Sequence, residues 1–406
     1  MKKWTLRCSC AVSSDSAVQN AVIEIDGAYI SAISKSAASK PDVDISNSVA
    51  TPGLINSHDH LIGNYFPKVG NGPYINWLPW DNDLKSAPVY RERQQIANRD
   101  LYLLAGYRNL ISGVTSVHDH IPHFVQDPFL SIMPLKVISD YTLVHSITQF
   151  ALNWGDGIEA EYARSEKEGI PFVAHVGEGF DEESRNELKI LNQKGGLGEY
   201  SVLVHSIAFT PEEIALVKQK KASVVWCADS NIFMYNKTAD VRTMLKTGVN
   251  VCIGTDSPMS GGENILHEMK FGRKYYNDHY MEDLPAKQIF KMTTENPAKA
   301  FRLSENGKLA HGMLADIVLF DKKNDDPYES VVNANLKDVK LAIINGIPVY
   351  GHAVFLDSFK NFGIKYQTVR IAGIDRFIIG DLLGVLNRIN KAVGFKKKFP
   401  FMPVEL

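Results

Sequence analysis

Between residues 51 and 306 the sequence keeps returning to one kind of segment, and that recurrence limits the fold more than anything else in the chain. "GVTSVHD" (113–119), "PFVAHVGE" (171–178), "SVLVHSIAF" (201–209), "ASVVWCAD" (222–229) and "NVCIGTDS" (250–257) are apolar and rich in β-branched residues. Strands that are buried on both faces of a parallel sheet read this way. Helical segments separate them. Residues 210–221 open with Thr210 as N-cap, Pro211 in the first turn and Glu213 three residues on, a capping box. Residues 155–169 and 182–194 follow a helical pattern, as do 238–247 before Gly248. Leu101, Leu104 and Ile111 mark another helix, with Gly113 as its stop. Strand–helix units repeated over roughly 250 residues predict an α/β fold, a distorted (β/α)8 TIM barrel over 51–306.

The two ends of the chain read differently. Trp4–Val12, Ala21–Ile25 and Tyr29–Ile33 are short strands, with Asp26–Gly27 as a hairpin turn. Strand pattern returns in "GKLAHGMLADIVLFD" and "DVKLAIINGIPVYG". Residues 1–50 plus 307–360 are expected to form one small β-sandwich domain. Neither half has enough strands to bury a core alone. Residues 361–406 are expected to be a C-terminal helical extension, with an apolar stripe at Phe377, Leu382, Leu386, Ile389 and Val393 that packs on the body or on a subunit partner.

Composition excludes several classes. The 406 residues carry a formal charge of −2, and the one dense basic run is Lys396–Lys398, so nucleic acid is not an expected partner. No stretch reaches transmembrane length and no apolar leader core follows "MKKWTLRCSC", so neither a membrane nor a secretory route is expected. Four cysteines do not make a disulfide framework, and a reducing, cytoplasmic setting is expected. Cys8 and Cys10 alternate along a strand and have the spacing of a metal pair, without a second thiol pair to complete it.

The chemistry lies at the strand ends. "TPGLINSHDHLIG" (51–63) places His58 and His60 two apart, on one face of a strand. An isolated pair of this kind is as often a surface or hydrogen-bonded pair as a ligand pair, so the rest of the chain decides. The other strands end in His175 with Glu178 three residues on, in His205, and in Asp256. Barrel active sites lie at the C-terminal ends of the strands. Three imidazoles and one carboxylate there make a site for Zn²⁺ with room for water, and a bound divalent ion lowers the pKa of that water toward neutrality. Glu178 and His205 are the candidate proton carriers.

"TPGLINSHDH", "AHVGE", "LVHS", "SVVWCADSN", "NVCIGTDS" and "GMLADIVLFD" followed by "VKLAIINGIPVYG" occur in an order that resembles the amidohydrolase superfamily, in its cytosine deaminase and chlorohydrolase-like branch. The resemblance covers about residues 1–352. It implies His58, His60, His175 and Asp256 as metal ligands, with Glu178, His205 and Asp256 catalytic. Members with two metals use a bridging lysine or a glutamate. The only lysine in 121–166 is Lys136, beside Pro134, so one divalent ion per chain is expected, Zn²⁺ or else Fe²⁺.

Two regions depart from that pattern or stay open. About fifty residues separate the second strand from "PFVAHVGE", so the third and fourth strands must be compact or irregular. Trp77 and Trp80, after the first strand, can stack on a planar heterocycle or pack the loop onto the barrel. His118 and His120, in "SVHDHIPH", are pocket lining or hydrogen-bonded structure.

The expected activity is hydrolytic deamination of an amino-substituted heterocycle of the purine, pyrimidine or pterin kind. The alternatives are hydrolysis of a cyclic amide (imidazolone- or hydantoin-like) or another C–N bond in the same site, and a non-catalytic assembly protein of the same fold. The expected partners are a small heterocyclic substrate and further copies of the chain, as a homodimer or higher homo-oligomer.

Overall fold

The computed structural model describes residues 3–35 and 40–405. The fold is α/β, a distorted barrel of parallel strands joined to a mixed sheet built from both chain ends. The barrel strands are Leu54–Asp59, Val114–Asp119, Lys136–Ile138, Thr142–Ser146, Phe172–Val176, Ser201–His205, Ser223–Trp226 and Asn250–Ile253. The first three pair as one sheet and the last five as another.

The compact region is resolved in an unexpected way. Only residues 139–141 lie between the third and fourth barrel strands, with no helix. Parallel strands lying side by side need a crossover of a dozen or more residues. Three residues cannot supply one, so the two strands run on end to end. The first part pairs with the second strand (Ser116 opposite Lys136) and the second part with the fifth (Phe172 opposite Thr142). One bent stretch thus joins the two sheets.

The barrel closes between its eighth and first strands. The Asp256 N–H donates to the His58 carbonyl at 3.0 Å and the His60 N–H to the Asp256 carbonyl at 2.8 Å. Gly254 permits this approach, since a Cβ there would lie 2.7 Å from Cβ of His58. The interior below is filled by Ile55, Leu143, Val173, Val202, Val204, Val225 and Cys252, all buried.

Strand Val43–Pro52 pairs in parallel with Lys3–Val12 and antiparallel with Ile317–Asp321, so residues from both ends share one sheet. It runs through Gly53 straight into the first barrel strand. The C-terminal tail is not helical throughout. Tyr366–Ile371 and Ile374–Ile379 form a hairpin that extends the mixed sheet, and Phe377 belongs to it. The run "FII" is ended by Gly380 (φ +79°), and the helix starts only at Leu382, with the Asp381 side chain capping the Gly384 N–H. That helix, Leu382–Val393, packs on Asn98–Ile111 through Arg388 and Asp100.

No helix among the described residues is long and apolar enough to cross a membrane. Cys8 and Cys10 are buried, with burial raising both thiols, and belong to no group of metal-type ligands among the described residues.

Candidate active site

His58 and His60 leave the first strand on the same side, and Asp59 between them faces the other way. The Asp59 carboxylate takes hydrogen bonds from Arg108 (2.8 Å), Asn64 (2.8 Å) and Asn109 (3.0 Å), all buried. The backbone of the His-x-His segment is thereby fixed from behind.

Four side chains from three strands converge in front of it. Nε2 of His175 stands 3.3 Å from Nε2 of His58. Oδ1 of Asp256 lies 3.6 Å from Nε2 of His58 and 3.4 Å from that of His60. Two ligand atoms bound tetrahedrally to Zn²⁺ at ~2.0–2.1 Å are ~3.3 Å apart, so each of these pairs has the spacing of ligands on one ion. The ligand atoms gather as two trios that share His58, one with His60 and Asp256 and the other with His120 and His175. Protonation supports the fit. The Nδ1–H of His175 donates to the His145 carbonyl at 2.6 Å, which leaves Nε2 with its lone pair turned inward. Burial pushes His58 down to about 3 and His175 well below its ordinary value, so both imidazoles are neutral. Burial opposes the charge on Asp256, but the adjacent imidazoles of His58, His60 and His205 outweigh it and hold the carboxyl far below the usual carboxylate range. Its other oxygen, Oδ2, accepts from the hydroxyls of Ser230 and Ser260, each at 2.6 Å.

Glu178 and His205 stand beside this group. Oε1 of Glu178 is 3.6 Å from Nε2 of His205 and accepts from the Tyr235 hydroxyl at 2.7 Å. Burial raises the Glu178 carboxyl despite His205 and Tyr235, which both lower it. Nδ1 of His205 is 2.8 Å from Oδ1 of Asn231, whose amide nitrogen is spent on Thr238. Nδ1 therefore carries the proton, and the lone pair on Nε2 faces Glu178. His205 (φ +71°) and Asp256 (φ +58°) are held in the left-handed region, which costs a non-glycine residue of order 1–3 kcal/mol and is typical of functional sites.

The remaining expected residues divide. His120 reaches the centre. Its ring stacks on His175 (4.3 Å between centroids), Nε2–H donates to the Val144 carbonyl at 3.1 Å, and Nδ1 is buried without a partner. His118 does not line the pocket mouth. One strand repeat is about 6.6 Å, so a residue two positions earlier sits a layer lower in the barrel, and His118 packs there between Tyr141 and Phe301. Trp77 begins the helix Trp77–Ser86 and lies edge-on to His145 at 4.8 Å. Trp80 is turned away, its indole N–H donating to the Val69 carbonyl at 2.9 Å. His145 and Trp154, 4.8 Å apart and edge-on, complete the aromatic wall that Trp77 begins.

Sequence reasoning missed five residues: Ser230, Asn231 and Tyr235 on the helix Ala228–Tyr235, together with His145 and Trp154. The available signal was "DSN", three polar residues in an otherwise apolar stretch directly after a buried strand.

A closed parallel barrel with inward imidazoles and carboxylates at the C-terminal ends of its strands is the architecture of a barrel hydrolase. Residues 155–349 match the model of the amidohydrolase family. The chain is 25% identical over 366 residues to a 5'-deoxyadenosine deaminase of Methanothrix thermoacetophila, covering 78% of this chain and 85% of that one. It is 26% identical over 400 residues to a 5-methylthioadenosine/S-adenosylhomocysteine deaminase of Thermoanaerobacter pseudethanolicus, covering 81% and 88%. The fold matches that of an atrazine chlorohydrolase from Arthrobacter aurescens complexed with zinc, with TM-score 0.75 at 16% identity over 96% of this chain and 99% of the other. Residues 155–349 thus carry the likeness to the amidohydrolase family, and with deaminase relatives along most of its length the chain is a hydrolase acting on C–N bonds.

Proposed function

We propose that the protein is a metal-dependent deaminase that hydrolyses the C–N bond of an amino-substituted heterocycle. The observation that carries the reading is the placement of Glu178, a buried carboxyl raised by its surroundings, beside His205 and the group His58, His60, His175 and Asp256. The names of the relatives at 25–26% identity support the same reaction class. One divalent ion, Zn²⁺ by analogy with the zinc-containing neighbour, would be held by His58, His60, His175 and Asp256. When bound, it supplies a water whose pKa is lowered toward neutrality.

The chain's own residues do the rest. Asp256 accepts a proton from the attacking water. Glu178, whose carboxyl burial raises, delivers a proton to the ring nitrogen next to the carbon under attack. His205, its Nε2 lone pair fixed by Asn231, polarises the nucleophile. Trp77, Trp154, His145 and His120 form the wall against which a planar ring lies. Ammonia leaves. We read the setting as cytoplasmic, in keeping with four buried, unpaired thiols.

A panel of 5'-modified adenosines, free purines, pyrimidines, pterins, hydantoins and imidazolones, assayed for ammonia with the metal-replete protein, tests the reading. Ammonia with the corresponding oxo product is expected. Ring opening without ammonia would replace deamination by cyclic amide hydrolysis.

A further inference from the structure

The helix Ala228–Tyr235 follows the seventh barrel strand, which sends no reactive side chain of its own into the centre. It reaches three others instead: Ser230 touches Asp256, Asn231 touches His205, and Tyr235 touches Glu178. The last contact differs in kind, because Glu178 has little else to hold it. It sits on a turn between Gly177 (φ +67°) and Gly179 (φ +150°), outside any helix or strand. The turn is anchored by its backbone, with the Gly177 N–H donating to the Glu187 carboxylate. The Glu178 side chain has three rotatable bonds and makes one hydrogen bond among the described residues, from Tyr235.

We infer that Tyr235 is a positioning residue that orients the Glu178 carboxyl and decides which of its oxygens carries the proton. The inference rests on the deaminase reading. The phenol donates to Oε1 whether Glu178 is ionised or neutral, since Oε1 accepts in both states. The proton of the neutral acid therefore sits on Oε2, the oxygen left free of protein partners. A donor locked in one direction is a better acid than one that must first find its rotamer. Tyr235 is 1% exposed, and burial holds its phenol well above the usual value, so it remains a donor throughout the working range.

Tyr235→Phe removes the hydroxyl and keeps the ring. With a substrate from the ammonia screen, kcat should fall about 10- to 100-fold, the loss of one hydrogen bond to a carboxyl that becomes charged as it gives up its proton, with KM within about twofold and metal content unchanged. The same substitution in a Glu178→Gln background should change kcat by less than about twofold, because its target is gone. An equal fold-loss in both backgrounds, or none in the wild type, overturns the inference. A readout without substrate separates this from the fate of the deaminase reading. The Glu178 carboxyl band is assigned by infrared difference between the wild type and Glu178→Gln, and it should shift in Tyr235→Phe. If no compound releases ammonia, the deaminase reading fails and the band still decides the contact: an unshifted band shows that Tyr235 does not hold Glu178.

Discussion

Nε2 of His58 and Nε2 of His175 stand 3.3 Å apart, although the residues are 117 positions apart and lie on strands that do not pair with each other. The His175 lone pair is committed to that direction by the hydrogen bond from Nδ1 to the His145 carbonyl. Nitrogen lone pairs brought this close in a buried site gain most from a shared cation. We expect one tightly held divalent ion per chain by elemental analysis. Because the ion binds the folded state, a chelator should lower Tm. His175→Ala should carry little metal and show little further response to the chelator. Two equivalents, both needed for activity, would refute a single-ion centre.

Metal binding and proton delivery are separable. Glu178 clusters with His175 and His205 but is not one of the four residues proposed to hold the ion, so Glu178→Gln should keep its metal and its Tm while turnover falls ~10²–10⁴-fold, the usual worth of a general acid. Metal content and kcat measured on one sample decide this. Undiminished turnover in a metal-replete Glu178→Gln protein would remove the proton carrier from the mechanism.

Asp119 gives a pH dependence that the metal does not enter. Its carboxyl is buried at the end of the second strand and accepts from the Leu61 N–H and the Tyr102 hydroxyl, each at 2.9 Å. Burial pushes it up to about 7. In the unfolded chain the value is about 3.9. Below about pH 4 both states hold the proton and there is no penalty. As pH rises from there to about 7, the unfolded chain releases its proton first, so the fold loses stability, and above that window the penalty is constant. Asp119→Asn cannot titrate and can still accept from Leu61 and meet the Tyr102 hydroxyl. Its stability relative to wild type should therefore climb from pH 5 to 7 and then level, by a few kcal/mol at most. Denaturation curves that stay parallel across this range would show that Asp119 is ionised throughout.

What the sequence revealed and what it hid follow from period and depth. The β-branched runs ending in His58, His60, His175, His205 and Asp256 announce themselves, because a strand buried on both faces has no polar residue to spare except at its end. "PLKVISDYTLVHS" carries no such signal. Its first strand is three residues long, and the missing crossover helix leaves no helical period to count. His118 and His120 look equivalent in sequence because alternation gives the face of a strand but not the height along the barrel. Tyr235 was hidden because the "IFMY" that follows "DSN" reads as apolar filling, and only the fold shows that residues 230, 231 and 235 turn toward three different strands.

The buried pair behind the metal-facing histidines is the part of the site whose loss should be felt in stability first. Arg108 is fully buried. It donates to Asp59 and Asn64 at 2.8 Å each and to the carbonyls of Gly262 and Glu263 at 2.8 and 2.7 Å. Arg108→Met fills similar space but leaves Asp59 a buried charge without its cation, which typically costs about 3–5 kcal/mol. Asp59→Asn in the same chain removes that charge, so the double variant should recover part of the loss. Arg388→Ala is the control. Its pair with Asp100 is 39% exposed on the arginine side, and such pairs are worth at most about 1 kcal/mol. Asp59 separates His58 from His60, so metal affinity in Arg108→Met should fall along with stability, although Arg108 touches neither histidine. Denaturant unfolding of metal-loaded and metal-free samples measures both effects. If Arg108→Met proved no more costly than Arg388→Ala, the network behind the first strand would not be what holds the ligand pair in place.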